Sequence, residues 1–286
     1  MSPLAMQQIS EPEALVAARN QARHRGESIA VVPTMGNLHD GHLSLLERAR
    51  SVADCVVCTI FVNPAQFGPE EDIDSYPRTL DADLEKLRVA GVDFVFTPGV
   101  DAMYPEGDQT RVRVPELSLG HCGQSRPGHF DGVATVVCKL LNLAQADYAV
   151  FGEKDYQQLA VIRRMVKDLF IPTQVLGAPT RRADDGLALS SRNGYLTADE
   201  RALAPMLYQQ LRQTRDAILE GAADWRQLEH DAEAALAAAG WEPDYFNIAR
   251  QHDLQPAGLT DHGIVIMAAA RLSRARLIDN LTVERP

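Results

Sequence analysis

Two rhythms of apolar residues run through the first two thirds of the chain. Residues 28–32, 55–63, 92–97, 148–151 and 173–176 are short runs with almost no polar break. Such runs own no solvent face, so they predict strands of a parallel sheet covered on both sides. Between them, apolar residues at helical spacing predict helices over 11–23, 43–49, 81–90, 130–145 and 156–170. The clearest carries Val133, Val136, Val137, Leu140 and Leu141 on one face, and the earliest opens on Ser10-Glu11-Pro12-Glu13, a Ser-x-x-Glu capping box. Sustained alternation of strand and helix predicts an α/β, doubly wound parallel-sheet Rossmann-like domain over residues 1–182.

Residues 98–127 are rich in turn formers, with one strand expected at 111–114. Past Arg182 the pattern changes. Asp184-Asp185-Gly186 predicts a turn, and a polar, glycine-ended segment follows over 187–194. Thr197-Ala198-Asp199-Glu200 is a second capping box, opening a long helix toward Leu219, and another helix is expected over 225–239. Strands at 245–249, 264–272 and 276–281 complete a smaller α+β C-terminal domain over 183–286, placed as a lid on the first.

Composition is that of an ordinary globular chain of 286 residues, with 45 % apolar and 23 % charged residues. A net charge of -11 opposes an extended nucleic-acid footprint, which needs clustered Lys and Arg, but leaves room for a small anion in a local basic pocket. Residues 1–10 lack the basic and apolar regions of a leader, and no apolar run has membrane-spanning length. Cys55 and Cys58 form a CxxC, yet on a strand they face opposite ways, and no second pair completes a zinc site. Few cysteines and no leader predict a cytoplasmic protein.

The chemistry gathers where strands end. Pro33 to His42 joins the first apolar run to a helix start, with Gly36 and Gly41 between. Backbone amides and the imidazoles of His39 and His42 there suit a polyphosphate. Lys154 follows another buried run; it either contacts phosphate or makes a solvated turn with Glu153 and Asp155. Ser190, Ser191 and Arg192 lie on the connector, where they are a plain linker or a segment that closes over phosphate. Arg126 faces an anion or holds the fold. Gln66 and Gln158 are neutral hydrogen-bonding groups near strand ends.

The HxGH loop resembles the HIGH signature of the nucleotidylyltransferase superfamily, which includes class I aminoacyl-tRNA synthetases. Six ordered blocks, at residues 33–42, 61–67, 76–79, 126–130, 151–158 and 187–193, together resemble the pantothenate synthetase family. The resemblance implies ATP-dependent condensation of (R)-pantoate with β-alanine to pantothenate, AMP and pyrophosphate through pantoyl adenylate. It implies that Met35, Gly36, Asn37, Leu38, His39, Asp40, Gly41 and His42 hold ATP, with His42 the proton donor and His39 a phosphate ligand. Gly152, Glu153, Lys154 and Asp155 would bind nucleotide, Lys154 on phosphate and Asp155 on ribose. Leu189, Ser190, Ser191 and Arg192 take the place of the superfamily's KMSKS-like loop, and the backbone around Arg181 meets adenine.

On the substrate side, Gln66 and Gln158 bind pantoate, Gln66 also lies near β-alanine, and Asn63 supports that end. Mg²⁺ is expected on the phosphates, with Asp83 as a nearby carboxylate. The family further suggests a homodimer. Segment 119–123 (Leu-Gly-His-Cys-Gly) is more polar than the family pattern leads one to expect. Other readings stay open on the residues alone: a different adenylyl or cytidylyl transferase, a tRNA-binding synthetase fragment, or a nucleotide sensor.

Overall fold

The apolar runs align as one sheet in the structure, a computed structural model that describes residues 6–69, 71 and 73–285. Residues 1–5, part of the stretch read above for a leader, lie outside the described residues. In chain order come β1 (Gln7–Ile9), α1 (Pro12–His24), β2 (Ile29–Thr34), α2 (Asp40–Arg50), β3 (Cys55–Ile60), α3 (Leu80–Val89) and β4 (Phe94–Phe96). Three one-turn helices follow, α4 (Val100–Met103), α5 (Pro115–Ser118) and α6 (Cys122–Ser125). Then come α7 (His129–Ala144), β5 (Tyr148–Gly152), α8 (Tyr156–Asp168) and β6 (Gln174–Ala178).

The strand order is β1-β4-β3-β2-β5-β6, and every pairing is parallel. The chain builds β3 and β4 on one side of β2 and β5 and β6 on the other. Strand order therefore reverses between β2 and β5, and a crevice opens where their carboxyl ends part. Both faces of the sheet are covered, as the unbroken apolar runs require: Cys55 and Val57 pack toward α1 and α7, while Val56 and Cys58 pack toward α2 and α3. Burial pushes both strand thiols up to about 12, which makes them inert core groups.

The second part holds α9 (Ala198–Leu203), α10 (Met206–Leu219), α11 (Trp225–Ala238), β7 (Glu242–Arg250), β8 (Gly263–Leu272) and β9 (Ala275–Glu284). The strands form an antiparallel sheet in the order β7-β8-β9. Along β8, Ile264, Ile266, Ala268 and Ala270 face a core with Leu211, Trp225, Leu236 and Phe246. The alternate residues Val265 and Met267 join the core of the parallel sheet instead. Burying each of these two is worth about 1.5–3 kcal/mol, so the small sheet is packed onto the large one on its second face.

Three local expectations are corrected, and one element is added that was not foreseen. Residues 111–114 form no strand, because the N–H of Val112 donates to Thr135 Oγ1 at 3.0 Å and Pro115 then starts α5. The Ser10 capping box does not form: Glu11 is the N-cap of α1, and Ser10 Oγ bonds Glu11 Oε1 at 3.3 Å. The long helix after Thr197 breaks at Pro205, which has no N–H to continue it, giving α9 and α10. Strand β1, too short to show a period, pairs with β4 at the sheet edge.

Segment 119–123 uses its polarity to join the two parts. His121 takes φ 53°, with its Nε2 on Leu254 O at 2.9 Å and its Nδ1 on Asn247 Nδ2 at 2.7 Å. Cys122 Sγ lies 3.0 Å from Tyr245 Oη.

Candidate active site

The loop after β2 is held from below by one carboxylate. Asp83, on α3 and only 1 % exposed, accepts from the N–H of Asn37 and of Leu38 at 2.8 Å each and from Thr79 Oγ1 at 3.0 Å. Gly36 turns the loop with φ 84°, and a Cβ there would come 3.1 Å from Asp83 Oδ2. Asp83 is therefore a loop-binding group with both oxygens occupied, not the carboxylate beside a metal that the sequence led us to expect. Among the described residues no group of three or more His, Cys, Asp or Glu could hold a metal ion. The described residues thus offer no protein-built Mg²⁺ site.

His39 and His42 cap α2 with each other. His39 is the N-cap; its Nδ1 accepts from Gly41 N at 3.1 Å, and its own N–H donates to His42 Nδ1 at 3.3 Å. The ring centroids lie 4.2 Å apart. Because each Nδ1 accepts, each proton sits on Nε2, and both rings offer an N–H. Burial, reinforced by Lys154, lowers His39 to about 4, and burial with His39 and Lys154 nearby lowers His42 to about 3. Both are neutral near pH 7. These bonds also correct the simplest picture of the loop: the amides of Asn37, Leu38, His39 and Gly41 are already satisfied by protein acceptors. What His39 and His42 add to the cavity is imidazole N–H.

Across the crevice, β5 ends at Gly152 and a single 3-10 turn over Glu153–Asp155 leads into α8. Lys154 projects into a cavity of about 210 Å³ shared with Met35, His39, His42, Gln66, Gln158 and Ser190. Gly41, Asn63, Gly152, Asp155, Arg181, Leu189, Ser191 and Arg192 complete the part of that wall foreseen from sequence. Lys154 Nζ is 3.9 Å from Asp155 Oδ1, too long to absorb its charge. The serine segment crosses over the histidine loop, with Ser191 Oγ 3.3 Å from Asn37 O and Ser190 Oγ accepting from Arg192 N at 3.3 Å. Its stem is fixed by Leu189 N on Arg181 O at 2.9 Å.

The far end is neutral and polar. Asn63 Nδ2 donates to Gln66 Oε1 at 3.0 Å and to Gly132 O at 3.2 Å, while Tyr104 Oη donates to Asn63 Oδ1 at 2.7 Å. Gly132 allows α7 to approach this closely, since a Cβ would stand 2.2 Å from Ala65 O. Arg126 holds the fold here rather than a ligand: it grips Glu71 through Nε at 2.6 Å and Nη2 at 2.5 Å, and donates to His129 Nε2 at 3.0 Å. His129, lowered to about 4 by burial with Arg126 beside it, passes the bond on to Gln66 O at 2.8 Å.

Six expected residues stay off the cavity wall. Gly36, Asn37 and Leu38 face Asp83, which is itself the fourth of the six; Asp40 is exposed on α2; Glu153 lies over Gly177 of β6. Sequence reading also missed buried polar groups that brace the site. Gln157, beside Gln158, receives Cys122 N at 3.0 Å and donates to Leu117 O and Gly120 O at 2.9 and 2.8 Å. Asp279 and Asn280 are two polar residues in the middle of an apolar strand, the one signal that could have pointed to them.

Comparison with known proteins bears on the family and the fold. Residues 7–282 match the Pantoate-beta-alanine ligase family. The chain is 57 % identical over 265 residues to the pantothenate synthetase of Marinobacter nauticus, covering 92 % of this chain and 94 % of that one. It is 59 % identical over 271 residues to that of Pseudomonas putida, covering 94 % of each. The crystal structure of pantothenate synthetase from Thermus thermophilus superposes with a TM-score of 0.90 at 48 % identity, over 96 % of this chain and 99 % of that one. The Francisella tularensis pantoate-beta-alanine ligase, solved with beta-gamma ATP and beta-alanine, superposes with a TM-score of 0.82 at 35 % identity over 97 % of both chains. The chain belongs to the pantoate–β-alanine ligase family, the enzymes that form pantothenate.

Proposed function

We propose that the crevice between β2 and β5 condenses (R)-pantoate with β-alanine in two displacements driven by ATP. A pantoate carboxylate oxygen attacks the α-phosphorus; the bond to the bridging oxygen breaks, and pyrophosphate leaves with the electron pair. The amine of β-alanine, having shed a proton, then attacks the acyl carbon of pantoyl adenylate, and AMP departs. Because the first step brings two anions together, the work is positioning and neutralisation of charge.

The observation that carries the reading is the pair of Nε2–H groups beside Lys154 in one cavity, with neutral glutamines at its other end. His39, His42 and Lys154 meet the phosphates, Ser190, Ser191 and Arg192 close over them, and Asp155 meets ribose. Gln66, Gln158 and Asn63 take pantoate, whose carboxylate stays free to attack because no cation traps it there. His42 acts as a neutral hydrogen-bond donor. Mg²⁺ arrives on the triphosphate, since hard cations of this kind bind largely through phosphate and water; no step here runs through it. Residues 1–182 supply the reacting groups except the serine segment, and residues 183–286 close the crevice.

Incubation with ATP and pantoate alone is expected to release pyrophosphate in single-turnover amounts, and β-alanine is expected to restore continuous turnover to AMP and pantothenate. Steady AMP production that ignores β-alanine overturns the reading. The free state of Cys55, Cys58, Cys122 and Cys138 suits a reducing cytoplasm. No helix among the described residues is long and apolar enough to cross a membrane. The homodimer is carried over from the family resemblance, and sedimentation velocity checks it.

A further inference from the structure

Two consecutive polar residues interrupt β9, and neither reaches solvent: Asp279 is 4 % and Asn280 7 % exposed. Asn280 Nδ2 donates to the carbonyls of Glu153 and of Lys154, at 2.8 Å each. Both hydrogens of one amide nitrogen are thus used on two successive carbonyls of the turn that carries Lys154. Asp279 accepts from Arg182 Nη1 at 2.5 Å and Nη2 at 2.9 Å. Arg182 Nη1 also donates to Gly186 O at 3.1 Å, and Arg182 bridges Ala188 across the stem of the serine segment. One rung of β9 therefore grips the lysine turn with one side chain and the root of the serine segment with the other.

We infer that Asn280 is a positioning residue that acts through Lys154, fixing the turn so that the ammonium enters the cavity at a set place. The requirement is chemical. A primary amide presents two N–H groups from one atom, whereas aspartate has the same outline and no donor, and alanine has neither. The 3-10 turn spans only Glu153–Asp155 and makes no side-chain cap of its own, so these two bonds are its tie to a rigid strand. The inference rests on the reading of Lys154 as a phosphate ligand.

Pyrophosphate release from ATP and pantoate tests it in wild type, Asn280→Ala, Asn280→Asp, Lys154→Ala and the two double variants. Displacing a charged group by about an ångström costs up to about a hundredfold. Asn280→Ala and Asn280→Asp are each expected to lower kcat by about tenfold or more with KM for pantoate unchanged. In the Lys154→Ala background the same changes are expected to cost less than about twofold, since the group they position is gone. Asn280 variants within about twofold of wild type, or losing the same factor in both backgrounds, overturn the inference while Lys154 keeps its role. A fully active Lys154→Ala overturns both. Asn280→Asp preserves shape where alanine leaves a void; if neither variant folds, Asn280 is structural and the inference fails.

Discussion

The backbone N–H of His39 donates to Nδ1 of His42 at 3.3 Å, and that bond decides which nitrogen of His42 faces the cavity as a donor. The consequence can be separated from mere imidazole bulk. Removing one preorganised donor from a developing anion typically costs about 10²–10³ in kcat. His42→Ala is expected to lose that factor in pyrophosphate release with little change in KM for ATP. His42→Gln, which still offers an N–H at a similar reach, is expected to recover part of it. Equal loss in both variants counts against the donor role.

The same two rings, with His129, set a pH dependence of stability. Their folded values, about 4, 3 and 4, lie below the ordinary 6.5. Below pH 6.5 the unfolded chain therefore takes up protons that the folded chain refuses, so stability falls as pH drops from about 6.5 toward 4. Each such histidine contributes a slope of up to about 1.4 kcal/mol per pH unit in that window. Urea melts between pH 5 and 7 measure it, and His42→Gln is expected to flatten the slope. A stability that is level or rises on acidification in this window contradicts the burial of neutral rings.

Much of this was legible in advance, and the reasons differ by residue. Strands β2, β3 and β5 stood out because a parallel sheet covered on both faces leaves no polar position to confuse the period. His39, Lys154 and Ser190 could be found because each lies in a contiguous block at a strand end or connector. Asp83 was assigned the wrong partner, since its acceptor role depends on amides 45 and 46 positions away that no local pattern reveals. The polar pair in β9 was a signal, but the role of Asn280 was hidden for the same reason: its contacts are 126 and 127 positions distant. Residues 111–114 looked like a strand because β-branched residues alternate there, but a strand needs a neighbour, and Thr135 takes the Val112 amide instead.

Reassigning Asp83 from metal to loop has its own consequence. Asp83→Ala takes the acceptor from the buried amide of Leu38, at about 1–3 kcal/mol, and from the half-buried amide of Asn37, at less. A lower melting temperature and a raised KM for ATP are expected, because the loop carrying both histidines loses its support. The Mg²⁺ concentration giving half-maximal activity is expected to stay where it is. A shift of that concentration by about tenfold, equivalent to about 1.4 kcal/mol of metal binding, would restore Asp83 to the metal.

At the other end of the cavity, neutrality is the feature that matters. Gln66 is 8 % exposed, its Oε1 receives Asn63 Nδ2, and Gln158 shares the same wall. Replacing Gln158 by glutamate changes almost no volume but sets a carboxylate against the incoming carboxylate of pantoate, and like charges brought together in a desolvated site cost several kcal/mol. Gln158→Glu is therefore expected to raise KM for pantoate by about a hundredfold or more, while ATP binding measured without pantoate stays within about twofold. Gln66→Glu should act on pantoate in the same direction while keeping the bond from Asn63 as a charge-assisted one, and it removes the donor that Gln66 Nε2 sets on Met35 Sδ at 3.2 Å. Comparing the two tells charge from scaffold: a loss in Gln158→Glu that high salt partly relieves is electrostatic, because salt screens charge and leaves shape alone.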